Sequence, residues 1–240
     1  MARKHGALLP EPRIDTDRLV LDQALIEALT ARLSAGQDTA PDAASPDAST
    51  LALRALLAEA DDGHQAAMLR ALWGRIEART GPSLVVAGPA AGLLAADRFG
   101  LSARAVADPE AALAAAAAGV HALIDIAAAR PWWGQLLARP GLRIIAALPD
   151  DRQGLPRALR VAAAATGPTG DDRTFWVTDA RLPDSGVVEA LLACGFVARP
   201  LASAGGLKLF MLAGYVQAED GRLSAAPGAL KGVIGAAPLF

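Results

Sequence analysis

The chain has 240 residues, 53% of them hydrophobic and 20% charged, which is enough apolar material to bury the core of one large or two small domains. Its formal net charge of −2 provides no global field that would attract nucleic acid or an anionic membrane surface, so neither is expected as a partner. The single cysteine, Cys194, excludes intrachain disulfide bonds and thiolate metal clusters and is typical of a reducing cytoplasm, where we expect the protein to reside.

The N-terminal part is predicted to be a flexible arm followed by three helices. The polar, proline-containing stretch 1–15 is the arm, and it has no apolar h-region, so no signal peptide is expected. The stretch 16–35 is predicted to be a helix, because three apolar residues and then Arg32 recur along it at helical spacing. A linker rich in Pro, Ser, Asp and Ala follows at 36–49. Two further helices, at about 50–60 and 64–79, complete a helical domain over 16–80.

Short apolar runs then alternate with helical patterns over residues 81–167. Strands are predicted at SLVVAG, ARAVA, VHALIDIA and GLRIIAALP, and helices at AGLLAADRFG, DPEAALAAAAAG and PWWGQLLAR. In the second of these helices Asp108 is the expected N-cap, with Pro109 in the first turn. The order β-α-β-α-β-α-β predicts an α/β region with a mostly parallel sheet. The next segment, RALRVAAAAT, is compatible with either a helix or a strand.

A different order of elements is predicted over residues 168–240. It begins with the strand RTFWVTD and the helix DSGVVEALLACG. Two strands, VARPLAS and LKLFMLAGYV, are expected to form a hairpin through Gly205 and Gly206, and a last strand is expected within LKGVIGAAPLF.

The stretch TGPTGDDRTFWVTD, residues 166–179, places polar side chains at the start of a predicted strand. Acidic residues after Gly170 suit a turn, and Arg173 is placed to pair with one of them without any ligand. Alternatively, the glycine-rich turn and Arg173 bind a carboxylate at the edge of the sheet. The candidate ligand-binding residues are therefore Asp172, Arg173 and Thr174.

Other isolated features predict structure rather than chemistry. The segment GPAAG at 88–92 lies between a strand and a helix, where a phosphate could bind, but it lacks the dinucleotide glycine spacing and a Walker lysine and therefore predicts a tight turn. His121 is expected to be a core or edge histidine, and Trp132 and Trp133 are expected to be packing anchors. Three scattered histidines form no metal-ligand set, so no metal or cofactor is expected.

The chain resembles, segment by segment, the fused chorismate mutase and prephenate dehydratase proteins of aromatic amino-acid biosynthesis. LDQALIEALTARL and HQAAMLRALWGRIEART resemble the first and last helices of the all-helical chorismate mutases. Residues 81–126 resemble the first lobe of prephenate dehydratases, and TGPTGDDRTFW resembles the segment in which those enzymes carry Thr-Arg-Phe. The strand, helix, strand, strand order after it is similar to an ACT-type regulatory module. The resemblance thus implies an α+β protein, with a three-helix mutase-like unit, an α/β region and an ACT-like part at 168–240.

The resemblance implies that chorismate, a dicarboxylate, is rearranged to prephenate. That reaction needs no nucleophile or general base, only inward-facing cations that restrain the substrate and stabilise developing charge. Arg32 matches the position of a first-helix arginine of the mutases and Thr80 that of a last-helix serine. Arg54, Arg75 and Arg79 are further cations of the helical domain without a family counterpart, and together these five residues form the candidate catalytic set.

Several positions depart from the pattern of the family. The linker 36–49 contains no counterpart of the mutase loop lysine, and the second-helix Arg-Glu pair would fall near Ala48 and Ser49, which cannot replace it. Thr174 takes the place of the dehydratase threonine but is followed by Phe175 instead of arginine, which argues against dehydratase activity. Arg32 and Arg79 also suit helix ends in contact with solvent.

Two functions from different classes follow from these observations. The first is a divergent, cytoplasmic chorismate mutase-like isomerase, built as a homodimer and binding chorismate or prephenate. The second is a non-catalytic, degenerate mutase/dehydratase-like protein that regulates the pathway by binding an aromatic amino acid or a pathway enzyme.

Overall fold

The structure is a computed structural model that describes residues 46–60, 62–101, 103–128, 130–152 and 154–240, together with Val20, Gln23 and Glu27. The chain forms two compact units, Met1–Asp42 and Ala43–Phe240. In the first unit the three described residues are helical, and Gln23 Nε2 donates a hydrogen bond to Glu27 Oε1 at 3.1 Å, one helical turn away. The predicted arm, the remainder of the helix predicted at 16–35, and Arg32 lie outside the described residues.

Five α-helices are described in the second unit. They are α1 (Pro46–Ala58), α2 (Gly63–Thr80), α3 (Pro89–Phe99), α4 (Pro109–Ala117) and α5 (Asp184–Ala193), with 3₁₀ helices at Trp132–Ala138 and Gly221–Ala225. Asp62 and Asp108 cap α2 and α4, since each carboxylate accepts a hydrogen bond from the backbone N–H three residues later, at 2.8 Å. The prediction of Asp108 as an N-cap is therefore confirmed.

Nine strands form one sheet, with the spatial order β2-β1-β3-β5-β4-β9-β6-β8-β7. Their bounds are β1 (Leu84–Ala87), β2 (Arg104–Ala105), β3 (His121–Asp125), β4 (Arg143–Leu148), β5 (Ala158–Ala162), β6 (Asp172–Thr178), β7 (Ala198–Ala204), β8 (Leu207–Ala213) and β9 (Lys231–Pro238). The ambiguous segment RALRVAAAAT is thus a strand, β5. The predicted hairpin is confirmed, because β7 and β8 are antiparallel and joined at Gly205 and Gly206.

The prediction of a mostly parallel sheet is wrong. Among the described strands of residues 81–167, to which the prediction applied, β1–β2 and β1–β3 are parallel and β3–β5 and β4–β5 are antiparallel. In the rest of the sheet β4–β9 is parallel, and the three remaining pairs are antiparallel. Parallel neighbours need a long crossover, usually a helix, but the described residues of the short connection from β4 to β5 contain no helix. The chain therefore reverses directly and inserts β5 between β3 and β4. The result is a mixed sheet in an α+β fold.

The last four strands have their own connectivity within this sheet. The chain order is β6, α5, β7, β8, the 3₁₀ helix Gly221–Ala225 and β9, and the spatial order β9-β6-β8-β7 is fully antiparallel. This is the ferredoxin-like arrangement, with a 3₁₀ helix in the place of the second α-helix.

Strand β9 also pairs with β4, through Ile144 and Gly235, so residues 81–167 and 168–240 share one sheet. Gly235 has φ +141, and a Cβ atom built on it would overlap the Ile144 backbone, so the strands meet at this register only with glycine there. The predicted boundaries at residues 80 and 167 both lie inside the second unit, and the division into modules stays a prediction.

Apolar side chains cover both faces of the sheet. Trp132, Trp133 and Leu136 of the first 3₁₀ helix pack with α4 in the largest cluster, which confirms the tryptophan pair as a packing anchor. Helix α5 packs on Trp176 and Phe210. Helix α2 buries Leu69, Trp73 and Ile76, whereas Met68 on the same helix is 60% exposed. No helix in the described part of the chain is both long and apolar enough to cross a bilayer.

Candidate functional site

A cleft of about 530 Å³ opens at the edge of the sheet where β4 and β9 end. Its lining residues are Arg70 on α2, Asp151 and Arg152 in the loop after β4, and Phe240 after β9. Because β4 and β9 are parallel neighbours, their carboxyl ends lie at the same edge, and the segments that follow them meet there. The backbone N–H of Phe240 donates to the carbonyl of Asp150 at 3.0 Å, which fixes this meeting point.

The cleft combines two guanidinium groups with carboxylates. Arg152 Nη2 lies 2.6 Å from Asp171 Oδ2, and the Arg152 side chain is 68% exposed. Arg70 Nη1 lies 3.9 Å from Asp150 Oδ1, which is longer than a hydrogen bond. Asp150 is held more closely by Arg98, whose Nε donates to it at 3.1 Å. Asp151 accepts a hydrogen bond from the backbone N–H of Gly154 at 2.6 Å, so the loop orients its carboxylate.

Arg54, one of the predicted catalytic residues, lies against the aromatic wall of this cleft. Its guanidinium carbon is 5.8 Å from the centroid of the Phe240 ring. The same group donates to the carbonyls of Thr169, of Asp171 at 3.0 Å and of Leu239 at 3.1 Å. Arg54 therefore ties α1 to the loop before β6 and to the segment after β9, and its donors point to backbone oxygens.

The three predicted ligand-binding residues lie at the start of β6 and are buried. Asp172 accepts hydrogen bonds from the N–H and hydroxyl of Thr169, at 2.7 and 2.6 Å, which is turn chemistry. The Thr174 hydroxyl donates to the carbonyl of Gly214 and accepts from the N–H of Val216, both at 2.8 Å. Their predicted role in binding a ligand stays a prediction, and their polar groups serve contacts inside the protein.

Arg173, between them, is 2% exposed and points to the end of β4. Its Nη2 donates to the carbonyls of Ala147 and Pro149, at 2.7 and 2.6 Å. Burial lowers the pKa of Arg173 to about 10, and the charges of Asp150 and Asp151 act against that shift. The guanidinium therefore stays charged at neutral pH and holds the loop after β4 in place.

The other candidate catalytic residues do not converge with Arg54. Arg75 and Arg79 are exposed on the second half of α2, and Arg75 Nη1 donates to the carbonyl of Ala71 in its own helix. Thr80 is also exposed, and its hydroxyl donates to the carbonyl of Ile76 at 3.0 Å. Arg32 lies outside the described residues. The hydrogen bonds of Arg75 and Thr80 stay within α2, whereas those of Arg54 go to the loop before β6 and the segment after β9.

A buried polar cluster that the sequence did not reveal joins α2 to the sheet. Arg160 on β5 donates to Glu77 Oε1 at 2.6 Å and to His121 Nδ1 at 2.5 Å, and its guanidinium carbon lies 5.1 Å from the Phe99 ring centroid. Burial and, to a smaller extent, the Arg160 charge lower the pKa of His121 to about 4, while Glu77 acts in the opposite direction. Burial acts to raise the pKa of Glu77, but Arg160 outweighs it and keeps that pKa below its usual value.

The turn GPAAG is filled by a side chain of the protein itself. Asp125, at the end of β3, accepts hydrogen bonds from the backbone N–H groups of Ala90, at 3.1 Å, and Ala91 at the start of α3. The carboxylate occupies the position that a bound anion would take at a helix N-terminus. The prediction of a tight turn at this position is supported, and Gly88 has φ +98 there.

Within the described ranges no group of three or more His, Cys, Asp or Glu residues is arranged to hold a metal ion.

No family model matches this chain, and no curated protein matches it. Among solved structures it is similar to GqqA, described as a novel type of quorum quenching acylase, with 14% identity and a TM-score of 0.43 over 65% of this chain and 95% of that one. It is also similar to prephenate dehydratase from Streptococcus mutans, with 13% identity and a TM-score of 0.37 over 65% of this chain and 98% of that one. Similarities at this level of identity and TM-score assign no function to the chain.

Proposed function

We propose that this protein is a non-catalytic member of aromatic amino-acid metabolism that binds a free aromatic amino acid and acts as a regulator. The observation that carries the proposal is that the side chains of Arg54, Arg75 and Arg79 do not point to one common site. A mutase site needs several cations aimed at one substrate in a dry pocket. Here Arg54 is bound to backbone carbonyls, and the other two side chains are exposed on α2.

The C-terminal strands support a regulatory role. The sequence resemblance predicts an ACT-like module over residues 168–240, and β6–β9 with α5 have a ferredoxin-like connectivity over these same residues. A cleft with cations, a carboxylate and an aromatic ring at the edge of this region suits a small amino-acid ligand. The predicted homodimer is compatible with this function and stays part of the proposal.

Chorismate mutase activity remains the competing proposal, and it depends on Arg32 and on cations supplied by a second copy of the chain. One experiment separates the two. Chorismate absorbance is followed with the purified protein and with Arg32→Ala, and thermal unfolding is measured with phenylalanine, tyrosine and tryptophan at millimolar concentration. We expect chorismate to decay at the uncatalysed rate in both samples and the melting temperature to rise with an aromatic amino acid, because a ligand that binds only the folded state stabilises it. Accelerated decay that is lost in Arg32→Ala, with no thermal shift, would contradict the proposal.

A further inference from the structure

We infer that the cleft at the carboxyl ends of β4 and β9 binds the carboxylate of an aromatic ligand between Arg70 and Arg152, with the ligand ring against Phe240. The inference rests on the proposed function and adds where in the molecule the carboxylate and the ring are recognised. The ligand class is an arylalkyl carboxylate, of which an aromatic amino acid is one example. All three side chains line the cleft, whose volume of about 530 Å³ is within the usual range for small-molecule sites.

Arg70 is the principal carboxylate-binding group of the cleft. Its side chain is only 23% exposed, and its ion pair with Asp150 is 3.9 Å long, beyond hydrogen-bond range. In the part of the chain that the structure describes, its guanidinium donates no hydrogen bond. A guanidinium has five N–H donors in a planar fork that matches the two oxygens of a carboxylate. Arg70 can therefore give a ligand a bidentate contact in a position partly shielded from water.

Asp150 does not depend on Arg70 for its partner, because Arg98 holds it more closely. Arg98 Nε donates to Asp150 Oδ2 at 3.1 Å, and the Arg98 side chain is 10% exposed. Arg98 also donates to the backbone carbonyl of Arg70 and so fixes this turn of α2 beside the cleft. A ligand carboxylate can therefore bind Arg70 without leaving Asp150 unpaired, and the cation is already in place for it.

Arg152 supplies the second cation, and Asp171 competes with the ligand for it. Arg152 Nη2 lies 2.6 Å from Asp171 Oδ2, and the two side chains are 68% and 38% exposed. An ion pair as exposed as this one contributes little to stability, so a ligand carboxylate can share or replace it at low cost. Removing the Asp171 charge therefore strengthens ligand binding, an effect opposite in sign to that of damage to the site.

Phe240 supplies the apolar wall, and the fold holds its position. Its backbone N–H donates to the carbonyl of Asp150 at 3.0 Å, and its ring centroid is 5.8 Å from the guanidinium carbon of Arg54. Because the residue is held by both contacts, an aromatic ligand packs against it at a small cost in ordering.

No contact with a ligand ammonium group is assigned. Asp151 also lines the cleft, but it accepts a hydrogen bond from Gly154 and has a further interaction within the protein. Recognition therefore depends on the ligand carboxylate and the ring, and a ligand that has these two groups binds without an ammonium group.

The ligand class is tested by isothermal titration calorimetry on the full chain with L-phenylalanine, 3-phenylpropionate, phenethylamine and propionate. The first two have both a carboxylate and an aromatic ring, and we expect both to bind. Phenethylamine lacks the carboxylate and propionate lacks the ring, so we expect each to bind more weakly than the first two. Either of them binding as tightly as phenylalanine overturns the inference. A wild-type protein that binds phenylalanine but not 3-phenylpropionate also overturns it, because the ammonium group would then be required.

The site is tested by substitutions in the same titrations. We expect Arg70→Gln to weaken phenylalanine binding about tenfold, since it removes a shielded contact between charged groups. We expect Arg152→Gln to weaken it about two- to fivefold, the range for exposed charge contacts, and Asp171→Asn to strengthen it. Arg222→Gln is the matched control, since Arg222 is also an exposed arginine paired with an aspartate at 2.6 Å, and it should bind as the wild type does. Arg152 and Asp171 are exposed, so their variants test the site even if Arg70→Gln fails to fold.

The outcomes separate the site from the function. If phenylalanine binds but Arg70→Gln and Arg152→Gln bind it as tightly as the wild type does, the site is wrong and the proposed function stands. If 3-phenylpropionate binds and loses affinity in these variants while no aromatic amino acid binds, the site stands and the proposed function fails. If neither class of ligand binds the wild-type protein, the site and the proposed function fail together.

Discussion

Glu77 on helix α2 and Arg160 on strand β5 form an ion pair of 2.6 Å across 83 residues of sequence. The Arg160 side chain is 7% exposed and that of Glu77 is 28% exposed, so the pair is mostly shielded from water. The two charges connect the helical part of the unit to the sheet.

We predict that Glu77→Gln lowers the free energy of unfolding by about 3 kcal/mol, because removal of one partner leaves a buried charge uncompensated. The measurement is urea denaturation followed by circular dichroism. Glu59→Gln, an exposed glutamate on the loop after α1, is the control and should change stability by less than about 0.5 kcal/mol. Equal effects of the two substitutions would contradict the role of the ion pair.

The buried cluster also predicts a pH dependence of stability. Burial lowers the pKa of His121 from 6.5 to about 4, so the unfolded chain takes up a proton at this residue before the folded protein does. Stability is therefore lost as pH falls through the window between these two values. The lowered pKa of Glu77 acts in the same direction, but only below its usual value of 4.5.

Urea midpoints of the wild type and of His121→Gln, measured at about pH 7 and pH 5, isolate the histidine. We expect the wild type to lose more stability than the variant over this interval. A variant that loses as much as the wild type would show that other groups control the pH response.

The N-terminus of α3 depends on the Asp125 carboxylate. We predict that Asp125→Ala lowers the free energy of unfolding by about 1–2 kcal/mol, because two backbone N–H groups lose their acceptor. Asp97→Ala, an exposed position on the same helix, is the control. Thermal denaturation of both variants checks the prediction, and equal melting temperatures would refute it.

The same contact predicts coupling between Gly88 and Asp125. A Cβ atom on Gly88 would overlap the carboxylate, and φ at this position is +98, so Gly88→Ala is destabilising for two reasons. Replacing Asp125 by alanine as well relieves the overlap with the carboxylate, but not the backbone strain or the close contact with the Cβ atom of residue 125. A double-mutant cycle should therefore show that Gly88→Ala costs less in the Asp125→Ala background. Additive effects would mean that backbone strain alone determines the cost.

Arg54 is predicted to have a structural role. Arg54→Lys replaces five donors spread over a planar fork by three donors on a single nitrogen, so it cannot keep all the contacts that Arg54 makes with Thr169, Asp171 and Leu239. We expect faster amide hydrogen exchange in residues 166–171, which Arg54 holds against α1. Arg75→Lys is the control, since Arg75 bonds within its own helix. Unchanged exchange in Arg54→Lys would remove the structural role and restore Arg54 as a catalytic candidate.

Local sequence patterns predicted most helices and strands of the second unit. The prediction that was wrong concerned strand direction, which depends on pairing between distant segments. Helix α4 follows from its Asp-Pro start, and the β7–β8 hairpin from its two glycines. The alternation of strands and helices suggested parallel crossovers. It could not reveal that β5 inserts antiparallel between β3 and β4, because that depends on tertiary packing rather than local propensity.

The polar contacts were harder to anticipate than the elements. Asp125 binds a helix start 34 residues away, and Arg160 contacts side chains 39 and 83 residues away, so no local spacing indicates either. The cleft did carry one signal in the sequence. The Asp-Asp-Arg run at 150–152 begins two residues after the end of β4, which places charged side chains at the carboxyl end of that strand.

The central claim is that the folded protein binds an aromatic amino acid and does not rearrange chorismate. Equilibrium dialysis of labelled L-phenylalanine against the full chain tests it most directly. The account predicts saturable uptake that approaches about one ligand per chain, since one such cleft is proposed in each. Retention no greater than that of L-alanine across the same concentration range would contradict it.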